Sequence, residues 1–313
     1  MERVLNWKPS PKDERDFKFS LNFPLFSLEE LPTNIDLEGS IPEIWDQNDL
    51  GACTCFSTGM SILFQSRSQN RPIDPSKLFL YYNVRKLEGS IEEDSGAYIR
   101  DVFKTLNKEG VCKETSWPYI TSKFKNVPDS FCYTEALDTI ATKYHSVNNS
   151  VLELKNAIAA GRPVVFGFNV YASFMYGNWQ KIMPVPKSTE QCLGGHAVLI
   201  IGYDDSIKCF KIRNSWGKDW KDNGNFWMPY SFITSNECDD FWVLEGLKDV
   251  VPETIPEPIP SGCLDAFKLF NSLKELKTFS RAFLLKLTNQ LGLSPNKTSK
   301  EALLLLLKTN LKL

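Results

Sequence analysis

Apolar positions follow a helical spacing from Trp45 to about Asn126 and a strand spacing from about Ser130 to Lys248. Phe56, Met60, Leu63 and Phe64 recur at offsets of four, seven and eight, which puts them on one face of a helix over roughly 53–69. The Asp74-Pro75 start signal precedes a second helix over roughly 76–87. A third, over roughly 97–109, runs into Gly110, a good C-cap residue. Further on, the pattern predicts strands at 139–147, 163–170, 196–203, 208–213, 225–229 and 241–246, with one helix at about 150–160. This is an α+β chain: a helical lobe over about 45–130 meets an antiparallel sheet or barrel over about 131–250, with a cleft between them.

Two flanking stretches lack this pattern. Residues 1–44 carry charges, prolines and little periodicity, as expected of an extended N-terminal arm. The arm either packs along the globule or lies over the cleft as a short prosegment that restrains activity until cut. At 251–261, four closely spaced prolines interleaved with glutamates make a semi-rigid linker. Beyond it, 262–313 reads as a small all-α C-terminal appendage. From Ser261 onward it holds eight Lys and one Arg against two Glu and one Asp, a local net charge of +6. Its Gly292-Leu293-Ser294-Pro295 turn, followed by Ser299-Lys300-Glu301-Ala302-Leu303, resembles the helix–extended-loop–helix modules that bind DNA. The expected partner is nucleic acid or an acidic protein surface, the plainer alternative being a helical interaction module.

Composition narrows the class. The 313 residues have a net charge of −2, 42% hydrophobic and 12% aromatic content, which describe a globular chain with no global attraction to nucleic acid or membrane. No run of 18 apolar residues reads as a membrane span, and the N-terminus lacks the apolar core of a signal peptide. Eight scattered cysteines show no zinc-type pair of pairs, so no metal site is expected, and a reduced, intracellular setting fits them.

The chemistry centres on Cys53, where a polar, Gly-containing loop turns into the first helix. Unpaired N–H groups and the helix dipole favour a thiolate there. The chain has two histidines. His145 lies in a strand with no other catalytic residue type nearby. His196 follows two glycines and leads an apolar strand, and a second strand returns toward Asn214. A hairpin centred on Asp205 pairs residues whose numbers sum to 410, so it sets Asn214 across from His196. Cys55, two residues past Cys53, points to another helix face and is expected to be a small buried residue.

Cys53, His196 and Asn214, in that order, with Asn214-Ser215-Trp216-Gly217 and a further Trp220, resemble the papain-like cysteine peptidases. Gln47 lies six residues before Cys53, where that family keeps its oxyanion glutamine. The resemblance covers about residues 36–247. Thr54 follows the nucleophile where secreted members have tryptophan, and Leu50 stands where they have a half-cystine. Asp46-Gln47-Asn48-Asp49-Leu50-Gly51-Ala52-Cys53-Thr54 is closer to a branch found in bacteria and large DNA viruses. The resemblance implies a two-lobed papain-like fold and an endopeptidase in which Cys53, His196, Asn214 and Gln47 are catalytic, with no cofactor. It further implies substrate contacts at Ser95, Gly96, Ala97, Gly195, Trp216 and Asp239, with Asp239 or Asp240 favouring basic side chains. The expected partner is a polypeptide substrate, in a reducing compartment or a virus particle. Two other outcomes stay open: a catalytically silent scaffold presenting the C-terminal module, and a non-peptide acyl transferase.

Overall fold

A computed structural model describes residues 3–248. The linker over 251–261 and the helical module over 262–313 lie outside the described residues. The arm is not featureless: it contains a single helical turn, α1 (Phe19–Asn22), and a short strand, β1 (Asn34–Asp36). Four helices follow, α2 (Cys53–Ser68), α3 (Lys77–Glu88), α4 (Ile99–Lys108) and α5 (Ser130–Ala136). The remaining chain is β2 (Ala141–Ser146), α6 (Val151–Ala159), β3 (Val164–Tyr171), α7 (Ala172–Tyr176), β4 (Cys192–Asp204), β5 (Cys209–Arg213), β6 (Asn225–Pro229), α8 (Tyr230–Ile233) and β7 (Cys238–Leu247).

Local chemistry sets the helix ends. Ser76 caps α3, its Oγ accepting from the Phe79 N–H at 3.0 Å, and Gly89 ends the helix in the left-handed region at φ 73°. Gly110 closes α4 in the same way at φ 74°, its N–H bonded to the Leu106 carbonyl at 3.2 Å. The first helix departs from expectation. Rather than burying one face, α2 is buried along nearly all its length, including Ser57, Thr58, Gly59 and Ser61. Small polar side chains allow this because they bond their own helix: Ser57 Oγ donates to the Cys53 carbonyl at 2.9 Å.

All pairings in the seven-stranded sheet are antiparallel, in the order β2-β7-β3-β4-β5-β6, with β1 pairing with β4 off this path. Side chains alternate across it. Val165, Ala197, Leu199 and Ile201 join the core around α2, α3 and α4, whereas Phe166, Phe168, Val198 and Ile200 join a second core with Leu154, Ile158 and Phe226. Burial on both faces explains why Ala197-Val198-Leu199-Ile200-Ile201 is continuously apolar instead of alternating. His145 sits in β2 as an ordinary buried strand histidine, its Nε2 2.5 Å from a Glu245 carboxylate oxygen and its Nδ1 3.3 Å from Asn22 of α1.

The β4–β5 hairpin corrects the expected register. Asp204 faces Cys209 and Leu199 faces Arg213, so the strands are offset by two to three residues from the centre at Asp205. The turn holds Lys208 at φ 51°, and an irregularity between Ile200 and Gly202 adds a further residue. Extending that register sets His196 across from Trp216, not Asn214. Arg213, fully buried at the end of β5, donates to the carbonyls of Ile41 (2.8 Å) and Glu43 (2.5 Å), which brings the chain leading to Gln47 over the sheet.

Candidate active site

The cleft runs where the start of α2 meets β4. Cys53 is the first residue of α2, and its cap residue Ala52 contributes no side-chain bond. The thiol is fully buried, with the Ala197 N–H of β4 within hydrogen-bond reach of its sulfur. One residue earlier on β4 is His196, also fully buried. Its Nε2 lies 2.7 Å from Asn214 Oδ1. That oxygen also accepts from the Ser215 N–H at 2.8 Å, which fixes which Asn214 atom is oxygen. His196 Nε2 is therefore the protonated nitrogen, and Nδ1 is left as an acceptor with no hydrogen-bond partner. The ring stacks on Trp216, centroids 4.6 Å apart, which shields the bond to Asn214 from water. The side chains of His196 and Asn214 thus meet although their backbones are not paired.

Gln47 is held at four points. Its N–H donates to the Ser215 carbonyl (2.9 Å), its carbonyl accepts from the Tyr119 hydroxyl (2.8 Å), and Oε1 accepts from Ser215 Oγ (2.6 Å). Nε2 donates to the Leu50 carbonyl (3.0 Å), which identifies it as the amide nitrogen and leaves one further N–H on it.

The cleft is filled by the chain's own arm. Arg3 pairs with Asp46 (2.5 Å) and donates to the carbonyls of Asn48 (3.0 Å) and Trp216 (3.1 Å). Leu5 to Trp7 then run beside β4: the Trp7 N–H donates to the Gly195 carbonyl (3.0 Å), and the Gly195 N–H donates to the Leu5 carbonyl (3.2 Å). Glycines make the room. A Cβ on Gly96 would lie 2.6 Å from the Asn6 carbonyl oxygen, and one on Gly167 only 1.8 Å from the Trp7 indole. Further along, Ser10 donates to Asp240 (Oγ 2.8 Å, N 3.2 Å), and Asp13 and Asp16 lie 3.7 and 3.4 Å from buried Arg100. Residues 3–10 of the arm thus lie against Gly96, Gly167, Gly195 and Trp216.

Most of the expected substrate-contact residues line this path. Gly96 and Gly195 touch the arm, Trp216 takes Arg3 on its carbonyl, and Ser95 borders a cavity of about 530 Å³ beside Leu5–Pro9, whereas Ala97 is buried in the helical core. Asp239 is exposed at the start of β7, opposite Gly167. The neighbouring Asp240 turns inward at φ 65° and meets the arm, its carboxylate also accepting from Trp242 Nε1 (2.7 Å). Sequence reasoning missed Arg3, Asp46, Trp7 and Gly167. Gly167 carried a physical signal: an isolated glycine inside a strand marks a close approach.

Burial sets the electrostatics of the site. Burial pushes the Cys53 thiol up to about 11, outweighing hydrogen bonds to Ala197 and the helix start. Burial likewise pushes His196 down to about 4, the bond to Asn214 opposing and the nearby Arg3 charge adding to the fall. Both shifts favour the neutral forms, and burial is the main cause of each. Cys55 is buried, its thiol pushed up by the same desolvation, and the seven cysteines among the described residues are all free.

Comparison with known proteins follows the same lines. The sequence profile of the papain family cysteine proteases matches residues 31–239. A peptidase C1-like protein of Acanthamoeba polyphaga mimivirus is 38% identical over 259 residues, 77% of this chain and 82% of that one. Cathepsin B-like CP3 of Giardia intestinalis is 29% identical over 208 residues, 63% of this chain and 67% of its own length. Among solved structures, xylellain, a cysteine protease from Xylella fastidiosa, superposes with a TM-score of 0.73 at 36% identity, covering 78% of this chain and 96% of that one.

Proposed function

The chain belongs to the papain family of cysteine proteases, and from that premise we propose that it is an endopeptidase held closed by its own N-terminal arm. The observation that carries this reading is the arm itself: the cleft already binds an extended peptide through main-chain hydrogen bonds at Gly195, the mode by which a peptide substrate would be held. With the arm displaced, the Cys53 thiol gives its proton to His196 Nδ1, the nitrogen that bonding to Asn214 leaves free. The thiolate attacks the scissile carbonyl, forming the C–S bond as the carbonyl electrons move to oxygen. The Cys53 N–H and the spare N–H of Gln47 Nε2 stabilise that oxyanion. His196 then protonates the leaving amine as the C–N bond breaks. Water, deprotonated by His196, cleaves the resulting thioester.

The subsites follow from what the arm occupies. Gly96 and Gly195 take substrate backbone, and the slot over Gly167 takes a side chain. Asp240, already bonded to Ser10 and Trp242, offers little to a basic side chain while the arm is bound. Among the described residues no helix is long and apolar enough to cross a membrane.

The test is intact mass after treatment with a peptide-like epoxide that alkylates papain-type thiolates. The full chain should label slowly, a Trp7→Ala chain should gain one adduct, and a Trp7→Ala, Cys53→Ala chain none. Labelling that survives loss of Cys53 would sink the assignment. Replacing Gln47 by alanine in the Trp7→Ala background should lower kcat by about 10²-fold with little change in labelling, since one oxyanion donor is lost and the thiol is kept.

A further inference from the structure

We propose that Asp94 is a positioning residue, a hydrogen-bonded staple that ties the loop carrying Gln47 and Cys53 to the peptide-binding strip at Gly96. The proposal rests on the endopeptidase reading above. Two bonds at Asp94 make the staple. The Gly51 N–H points between the two carboxylate oxygens, 3.0 Å from each. The Tyr81 hydroxyl donates to Oδ1, and the same hydroxyl accepts from the Gly96 N–H at 3.2 Å. A continuous chain of bonds thus runs from Gly96 through Tyr81 and Asp94 to Gly51, two residues before Cys53. Gly51 fits this contact closely, since a Cβ there would lie 3.0 Å from Asp94 Oδ1 and the carboxylate would have to shift by a few tenths of an ångström.

The segment that carries Asp94 is rigidly seated. Arg85 of α3 is fully buried and donates to the carbonyls of Ile91 (2.6 Å) and Glu93 (2.9 Å), and also to that of Phe124, with its guanidinium over the rings of Tyr81 and Phe124. Such multiple charge-assisted bonds fix the backbone just before Asp94. The arm's hydrogen bond to Asp94 is made to its carbonyl, through Asn6 Nδ2 at 2.6 Å, so displacing the arm leaves the carboxylate's bonds to Gly51 and Tyr81 in place. A carboxylate here opposes the Cys53 thiolate by its charge, so its contribution to the reaction is geometric: it holds the nucleophile and the Gln47 donor in register with a bound peptide.

The test uses the full chain carrying Trp7→Ala. Adding Asp94→Ala should lower kcat by about 10–100-fold and change KM less than about threefold. Asp94→Asn keeps an oxygen for the Gly51 N–H and should recover to within about fivefold of the parent. Tyr81→Phe cuts the branch to Gly96 and should act mainly on KM. Hydrogen exchange of residues 47–53 should speed up at least about tenfold in Asp94→Ala alone. An unchanged kcat in Asp94→Ala would overturn the staple, as would equal losses in the alanine and asparagine variants. If Asp94→Ala does not fold, Tyr81→Phe decides: a raised KM with kcat kept supports the staple, and an unchanged KM overturns it. A Trp7→Ala parent that cleaves no peptide would remove the endopeptidase reading. The exchange result would then decide the staple alone, faster exchange supporting it and unchanged exchange overturning it.

Discussion

Replacing Trp7 by alanine is expected to raise kcat/KM of the full chain on a fluorogenic peptide by about 10²–10³-fold. The indole is 5% exposed and fills a slot that exists because residue 167 has no side chain. Truncating a buried tryptophan costs about 3–5 kcal/mol, and here that cost falls on the closed state alone. The other anchors do not compensate. Asp46 is partly exposed, so its pair with Arg3 is weakened by solvent, and Ser10 contributes ordinary hydrogen bonds. Opening also restores water to the dyad and removes the Arg3 charge from beside His196. A thiol held near 11 is ionised to only about one part in 10⁴ at neutral pH, so alkylation of Cys53 in the closed chain should be slow until strongly alkaline pH. In the Trp7→Ala chain the alkylation profile should move toward acid, as relief of desolvation lowers the thiol and raises the imidazole. A Trp7→Ala chain as inactive as the parent, with an unmoved profile, would show that the arm does not govern the site.

His196→Ala, made in the same opened background, should reduce kcat by at least about 10⁴-fold. One side chain serves as base for the thiol, acid for the leaving amine and base for water, and these roles fail together. Asn214→Ala removes only the group that orients the ring and should cost less. The two variants also differ in chemistry. Without His196 the thiol has no ion-pair partner, so alkylation of Cys53 should follow a simple thiol titration. Without Asn214 the partner remains and the profile keeps its acid-side limb. Retention of more than about 1% of kcat by His196→Ala would remove it from the mechanism.

Long patterned segments were legible in the sequence. The helices at 53–68, 77–88 and 99–108 and all six strands of the main sheet path carry enough apolar residues, caps or turn signals to be read locally. The single turn at 19–22 and the three-residue strand at 34–36 were not, because elements that short are stabilised by what they pack on: the Ser146 N–H holds the Phe17 carbonyl, and the residues of β1 pair with Gly202–Asp204. Within the site, Cys53, His196, Asn214 and Gln47 could be selected from residue type and order. The backbone register linking His196 to Asn214 could not, since it turned on one left-handed residue and one bulge in a hairpin whose loop has no two-residue Asn-Gly signature. Contacts such as Trp7 with Gly167 and Asp94 with Gly51 join residues distant in sequence, and nothing in either local pattern announces the other.

The strand β1 gives the arm one further property. It ties the chain to β4, so residues 3–10 enter the cleft as a tethered ligand rather than a dissolved one. A tether of this length keeps its ligand at an effective concentration of roughly millimolar, however dilute the protein, and this one is also pinned where Phe19 is buried and Phe26 bonds Asn156. While the tether is whole, a displaced arm returns faster than most substrates arrive. Between cleft and strand, residues 24–30 are largely exposed and open to cutting. A single cut there turns an intramolecular equilibrium into a bimolecular one, and dilution then carries the arm away. On the proposed reading, closure is reversible on an intact chain and, after one cleavage, becomes an event that the molecule cannot undo.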